Sequence, residues 1–372
     1  MRRASGLLLL LLAACGTPPP AKVADLPGWG EDAVQEALPA LLAGCGTIAK
    51  MPDDRALGGE GAGARAGDWR APCAEAGALP PGDTAAIRAF FETRFAPEVA
   101  GEGLLTGYDE PSLAGSLTPR PDYPYPLRGR PDDLVEVDIG TFLPDLKGKR
   151  LAGRVEKGRL VLYPDRAAIE AGGIDSRSPV ILWVKGEAEK FFLQIQGSGR
   201  VELPDGGVVR VGYEAQNGRA YVPIGRLLIE RGEMKREDVS RDSIVAWLKA
   251  NPAKAQALMN ENPSYVFFRK RDGLAPDLGP LGSMGVPLTP GRSLAVDRTH
   301  WPMGMPFWVE GKDPLTGAPF RRLVVAQDTG GAIRGEARGD LFWGWGPDAH
   351  KRAGLAKDQA RFIALRPVSR GS

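Results

Sequence analysis

Histidine is almost missing from this chain, with two residues in 372, and cysteine occurs only three times. Zinc centres of the usual kind draw on those side chains, so none is expected, and neither metal nor other cofactor is anticipated. Charge of one sign is missing as well. Lys and Arg number 48 against 46 Asp and Glu, and a formal charge of +2 gives none of the basic field on which nucleic-acid binding relies. No apolar run is long enough to span a bilayer as a helix, and no internal repeat is present. What the chain does have in quantity is glycine (49) and proline (33), more than a fifth of its residues. In a sequence 43% hydrophobic and 25% charged, ordinary globular values, that much turn chemistry predicts short strands joined by tight turns. The length predicts more than one core.

The first residues read as an address. Met1 is followed by Arg2 and Arg3, then by an apolar run from Leu7 to Leu12, the layout of a secretory signal. The run ends in Leu12-Ala13-Ala14-Cys15, which resembles the lipobox of bacterial lipoproteins, where cleavage precedes a cysteine that then carries acyl chains. The competing reading is an ordinary cleaved signal with an incidental cysteine. A lipidated Cys15 followed by Gly16 rather than Asp implies anchoring in the outer membrane, facing the periplasm. Cys45 and Cys73 would then lie in an oxidising compartment, but the sequence does not show whether they come within bonding reach. Thr17–Pro20 and Gly58–Gly67 read as flexible connectors.

Two helical patterns come early, over 31–43 and 83–95; in the second, Asp83 or Thr84 caps and Ile87, Phe90, Phe91 and Phe95 form one face. Strand patterns then run over 134–139, 160–163, 180–184, 191–195 and 208–211. Helices follow over 224–231 and 241–260, the latter interrupted at Pro252. Strands resume at 265–268 and continue to Val325.

Three acids stand at strand ends near the C-terminus. Asp328 closes the buried-type run Leu323–Gln327 ahead of Gly330-Gly331. Asp340 lies among Phe342, Trp343 and Trp345, and Asp297 follows Ser293–Val296. Any one acid at a turn is most often a cap. A carboxyl in an apolar setting, however, favours its neutral form and suits proton transfer, which points to Asp340. Asp328-Thr329-Gly330 also matches the way aspartic proteases present a carboxylate, but only one such tripeptide exists, so a protease would have to be a dimer. Ser198, between Gly197 and Gly199, lacks partners for a serine hydrolase: Gln196 stands where the nucleophile elbow needs glycine. Tyr108, Tyr123, Tyr125, Trp301, Trp308, Phe342, Trp343 and Trp345 are core residues or faces for sugar rings.

Five stretches in order, Leu104–Tyr108, Phe191–Gly199, Ser264–Phe268, Gly291–Asp297 and Ala326–Ile333, resemble the membrane-bound lytic murein transglycosylase A family, over about residue 85 to the end. The C-terminal part resembles the three-aspartate domain, whose acids would be Asp297, Asp328 and Asp340. The resemblance implies a mainly β protein: a double-psi β-barrel with an inserted second small β domain, a few packing helices and a groove between domains. The divisions expected are a signal at 1–15, a linker and helical extension at 16–82, the barrel at 83–118 and 256–372, and the insert at 119–255. It further implies a monomeric lyase that cuts the β-1,4 bond between N-acetylmuramic acid and N-acetylglucosamine in peptidoglycan without water. Asp340 would be the acid and base, Asp328 and Asp297 its supports, and Thr106, Tyr108, Gln194, Gln196, Gly197 and Ser198 the saccharide-binding residues. The alternatives are a non-catalytic peptidoglycan-binding lipoprotein and a dimeric aspartic-type peptidase. Asp109, where the family often has a second tyrosine, is the one departure in these motifs.

Overall fold

The computed structural model describes residues 20–146, 149–273 and 277–368; the signal segment with Cys15 lies outside the described residues. The chain enters through helices α1 (Leu38–Ile48), α2 (Arg70–Ala78) and α3 (Thr84–Arg94). The carboxylate of Asp83 accepts the Ala86 amide at 2.9 Å to start α3, and the apolar spacing buries Ile87, Phe90 and Phe91 as expected. Cys45 and Cys73 are joined in a disulfide that ties α1 to α2.

This N-terminal region does not behave as a linker. Its apolar side merges with the barrel core, where Trp29 packs edge-on against Trp308 at 5.3 Å. Arg292, buried, donates to both carboxylate oxygens of Asp32 (2.8 and 2.9 Å) and to Glu36 (2.9 Å). The stretch Gly58–Gly67, expected to be flexible, is instead laid on the barrel. Gly59 donates to Arg298 O and Leu57 O accepts from Met303. A Cβ at Gly58 would lie 2.5 Å from Arg298 O, so glycine there permits backbone contact rather than motion.

The long strand β1 (Phe95–Glu110) opens the barrel. After it come β2 (Ser112–Ser116), β3 (Tyr125–Arg128), β4 (Val135–Asp138), β5 (Arg150–Glu156), β6 (Arg159–Leu162), α4 (Arg166–Glu170), β7 (Val180–Val184) and α5 (Glu187–Gln196). Next are β8 (Ser198–Glu202), β9 (Val208–Gln216), α6 (Ile224–Glu230), α7 (Arg241–Ala250), α8 (Pro252–Asn260) and β10 (Val266–Lys270). The chain then returns to the barrel with β11 (Ser293–Ala295), β12 (Pro306–Lys312), β13 (Pro319–Asp328), β14 (Gly339–Trp345), α9 (Gly346–Leu355) and β15 (Lys357–Pro367).

Six strands close in the order β1-β14-β11-β13-β12-β15, with β1 parallel to β14 and antiparallel to β15. Closure removes the sheet edges, and Leu294, Phe307, Val324, Leu341 and Phe362 supply its buried apolar core. Between β1 and β11 stands the second β unit, with one sheet ordered β10-β9-β8-β2-β7-β3 and a smaller one ordered β4-β5-β6. The protein is thus mainly β, a closed barrel with a second β unit inserted. Its larger inserted sheet takes in β2 and β10, whereas sequence reading had put 112–118 and 256–270 with the barrel; strand pairing, not hydrophobic pattern, decides membership.

Two elements were misread. The helix expected over 31–43 is displaced, with a 3-10 turn at Val34–Ala37 and α1 running over Leu38–Ile48. Phe191–Ile195 is part of helix α5, not a strand. Taken alone it is a short apolar run of either kind, but with Ala188 it places apolar residues at i, i+3, i+4 and i+7. Glu187 and Glu189 in the first turn suit the helix dipole, and Gly197, at φ +80°, ends the helix.

Candidate active site

Strand pairing brings distant residues into one row. On the barrel wall Thr106 of β1 lies opposite Asp340 of β14, Ala295 of β11 lies opposite Asp340 on one side, and on the other it lies opposite Asp328 of β13. Four adjacent strands therefore carry Thr106, Asp340, Ala295 and Asp328 side by side. Gly107 makes the close packing possible, since a Cβ there would sit 2.3 Å from Nε1 of Trp343.

The two carboxyls are held differently. Asp328 takes three donors: the Tyr108 hydroxyl on Oδ2 (2.8 Å), and the amides of Ser283 (2.8 Å) and Thr329 (2.9 Å) on Oδ1. Asp340 receives the Thr106 hydroxyl on Oδ1 at 2.6 Å, and Thr106 in turn accepts from Nη2 of Arg338 at 2.9 Å. Burial pushes the Asp340 carboxyl above the ordinary aspartate range. The Thr106 hydrogen bond and the Arg338 charge pull it down, the Asp328 charge adds to the rise, and burial prevails. Burial and the facing Asp328 likewise raise Tyr108 well above a free phenol, which keeps it a donor. Ala295 of β11 lies between Asp340 and Asp328, so the two stand two strands apart rather than paired as in an aspartic protease dyad.

Asp297 is placed elsewhere. It is buried, and its carboxylate accepts the amide (3.0 Å) and hydroxyl (2.7 Å) of Thr299 and the Gly335 amide (2.9 Å). Burial alone would raise its pKa, but the Gly335 and Thr299 donors outweigh it and bring it down to about 2. Asp297 thus anchors the loop that runs from Asp328 to Asp340.

Gln194, Gln196, Gly197 and Ser198 do come together, at the end of α5 and the start of β8. They line a hollow of about 460 Å³ whose wall also includes Glu110, Arg271 and Leu281. Its lining does not reach Asp328 or Asp340, and the two sets are joined through β1, which carries Thr106 and Tyr108 at one level and Glu110 further on. The Gln194 Oε1 accepts Nη1 of Arg166 at 2.6 Å, and that guanidinium lies over the rings of Phe191 and Tyr265. Of the aromatics singled out, Trp301, Trp308 and Phe342 are core, while the Trp345 ring lies under Arg200 at 3.6 Å.

Sequence reading missed several participants. Ser283 lies in a loop without a pattern. Arg338 stands two residues before Asp340 and was readable as a charge beside a carboxyl. The third is a buried triad: Glu110 accepts Arg200 Nε (2.8 Å) and Arg210 Nη2 (2.7 and 2.9 Å), binding the end of β1 to β8 and β9. Asp109 faces His350 of α9 at 3.1 Å and Arg241 of α7 at 3.9 Å, so it bridges the barrel's helix to the insert's.

Residues 104–269 match the model of the MltA specific insert domain, and residues 292–366 match that of the 3D domain. A membrane-bound lytic murein transglycosylase A of Vibrio cholerae is 38% identical over 209 residues, covering 54% of this chain and 55% of that protein. The protein of the same name from Escherichia coli K12 is 32% identical over 295 residues, covering 77% of this chain and 72% of its own length. Among solved structures, MltA from Neisseria gonorrhoeae has a TM-score of 0.81 at 30% identity, covering 94% of this chain and 92% of that one. E. coli MltA with bound chitohexaose has a TM-score of 0.58 at 30% identity, covering 77% and 79%. On this identity and coverage the chain belongs to the membrane-bound lytic murein transglycosylase A family.

Proposed function

We propose that this protein is a lytic transglycosylase of peptidoglycan, cleaving the β-1,4 bond between N-acetylmuramic acid and N-acetylglucosamine and leaving a 1,6-anhydromuramic end. One observation carries the assignment of roles: two neighbouring carboxyls in unlike settings, Asp340 half-buried with a raised pKa and Asp328 saturated by three donors. Environments that push two acids apart mark an acid and its support.

Asp340, protonated, gives its proton to the departing glycosidic oxygen as the bond to C1 of the muramic residue breaks. The resulting carboxylate takes the proton of the C6 hydroxyl while O6 closes on C1, so no water is consumed and Asp340 ends protonated again. One carboxyl thereby serves both steps, where hydrolysing glycosidases divide the work between two. Asp328, fixed by Tyr108 and two amides, faces the positive charge that builds at C1. Asp297 holds the intervening loop. The hollow at Gln194, Gln196, Gly197 and Ser198 offers amide and hydroxyl groups for sugar recognition; a family member has been solved with a hexasaccharide.

The protein is anchored through acylated Cys15 to the outer membrane, facing the periplasm, and acts as a monomer. The family's name and the lipobox-like segment support the anchor, and among the described residues no helix is long and apolar enough to cross a membrane.

The test is mass spectrometry of muropeptides released from purified sacculi by the form beginning at Gly16, beside Asp340→Asn. Wild type releases products one water lighter than hydrolysis gives, and the variant releases none. Products with free reducing ends would make the reaction a hydrolysis. Release of nothing by wild type would leave only a peptidoglycan-binding protein.

A further inference from the structure

The small sheet β4-β5-β6 turns its apolar side outward. Register pairs Val137 with Leu151, Gly153 with Leu162 and Val155 with Leu160, so these side chains share one face. On that face Leu162 is 64% exposed, Val155 59% and Leu151 51%. The turn between β4 and β5 adds Phe142, 74% exposed, and Leu143, 54%. The opposite face carries Ala152, which packs against the cluster of Tyr163, Tyr265 and Phe267. Strand alternation ordinarily sends apolar residues inward; here it gives water a row of aliphatics, which marks a surface that meets something else.

Charge tells what that is. From 147 to 159 the chain carries six basic residues (Lys147, Lys149, Arg150, Arg154, Lys157, Arg159) and one acid, Glu156; over the whole sheet and its turns, 135–162, these six stand against four acids, Glu136, Asp138, Asp145 and Glu156. Glu156 is already paired with Arg154 at 2.5 Å. Exposed aliphatics flanked by Lys and Arg combine the two forces that hold a peripheral protein at an anionic bilayer. We propose that this face docks on an anionic phospholipid surface. A second copy fits poorly, because a two-fold contact would set the basic segment against itself. A glycan fits poorly too, since sugars stack on aromatic rings and Phe142 is the single ring among these exposed aliphatics. On the reading that Cys15 is acylated, the body is tethered close to a bilayer. Five residues separate Cys15 from Pro20, the first described, and they span at most about 18 Å. The anchor thus keeps the body at the membrane, and the sheet gives it a second, orienting contact.

The experiment uses the unacylated form beginning at Gly16, sedimented with phosphatidylcholine vesicles with and without phosphatidylglycerol, at low and at physiological salt. Expected is binding to the phosphatidylglycerol vesicles, weakened about tenfold or more without the anionic lipid, by salt, and by the double variant Phe142→Glu, Leu162→Glu. Lys149→Glu with Lys157→Glu tests the charge separately. All variants keep wild-type circular dichroism and cleave sacculi normally, so failure here is distinct from failure of the enzymatic reading. The proposal is overturned if phosphatidylglycerol vesicles do not bind at low salt, if the variants bind as wild type does, or if the same variants abolish a self-association seen by ultracentrifugation.

Discussion

Glu110 holds the two β units together, and its replacement by Gln tests how. The strand β1 reaches Tyr108 opposite Phe342 and then Glu110 opposite Trp345, so β14 carries one residue more over this interval. Gly344, at φ +102°, accommodates the excess. Glu110 is 2% exposed, with Arg200 and Arg210 both on its carboxylate and both also donating to Leu278 O. Glu110→Gln keeps the shape but leaves two buried guanidiniums facing a neutral amide. Removing one partner of a buried ion pair costs about 3–5 kcal/mol, because the charge left behind is uncompensated. A chain of this size gains roughly 0.7 kcal/mol per degree in unfolding entropy at its midpoint, from about 2.1 cal/mol/K per residue. The expected fall in Tm is therefore about 4–7 °C by calorimetry. Cleavage of sacculi measured well below that midpoint weakens through KM, because the hollow lined by Glu110 and Gln194–Ser198 loses its fixed wall. A Tm within about 1 °C of wild type, with unchanged KM, would refute the argument and mean that water or rearrangement satisfies the two arginines.

Thr106→Val removes the hydroxyl between Arg338 and Asp340 with little change in volume. Loss of a hydrogen bond that favours the carboxylate raises the Asp340 pKa further, so the alkaline limb of the kcat/KM profile, where the acid is lost, moves to higher pH. The maximum rate falls about tenfold, from some 1.5 kcal/mol of lost positioning; a lower rate with an unmoved limb would make Thr106 a saccharide contact only. Asp297 has a folded pKa of about 2 against an ordinary aspartate value of 3.8, and a depressed carboxyl stabilises above its unfolded pKa. That contribution is full above about pH 4 and is lost as pH falls toward 2. Asp297→Asn accordingly melts lower at neutral pH and loses less stability on acidification than wild type; parallel melting curves down to pH 2 would show that the anchor contributes nothing through its charge.

What was legible in the sequence was what depends on near neighbours. Asp83 before an apolar helical stripe read correctly as a cap, and Asp340 among Phe342, Trp343 and Trp345 read correctly as a carboxyl with a raised pKa. What was hidden depends on register. Thr106 reaches Asp340 across 234 residues of sequence, through a parallel pairing that exists only once the barrel closes, and Ser283 and Tyr108 find Asp328 by the same closure. The glycine-rich stretch at 58–67 misled because glycine permits both motion and close approach, and only the neighbouring Arg298 carbonyl shows which is in use. The sheet β4-β5-β6 shows what alternation leaves open. Alternating aliphatics are taken to face a core, yet here the core contact is made by Ala152, and the larger residues are outside. A strand pattern establishes that two faces differ; which of them is buried is decided by what packs against the sheet, and at this sheet the larger apolar face is left exposed among the described residues.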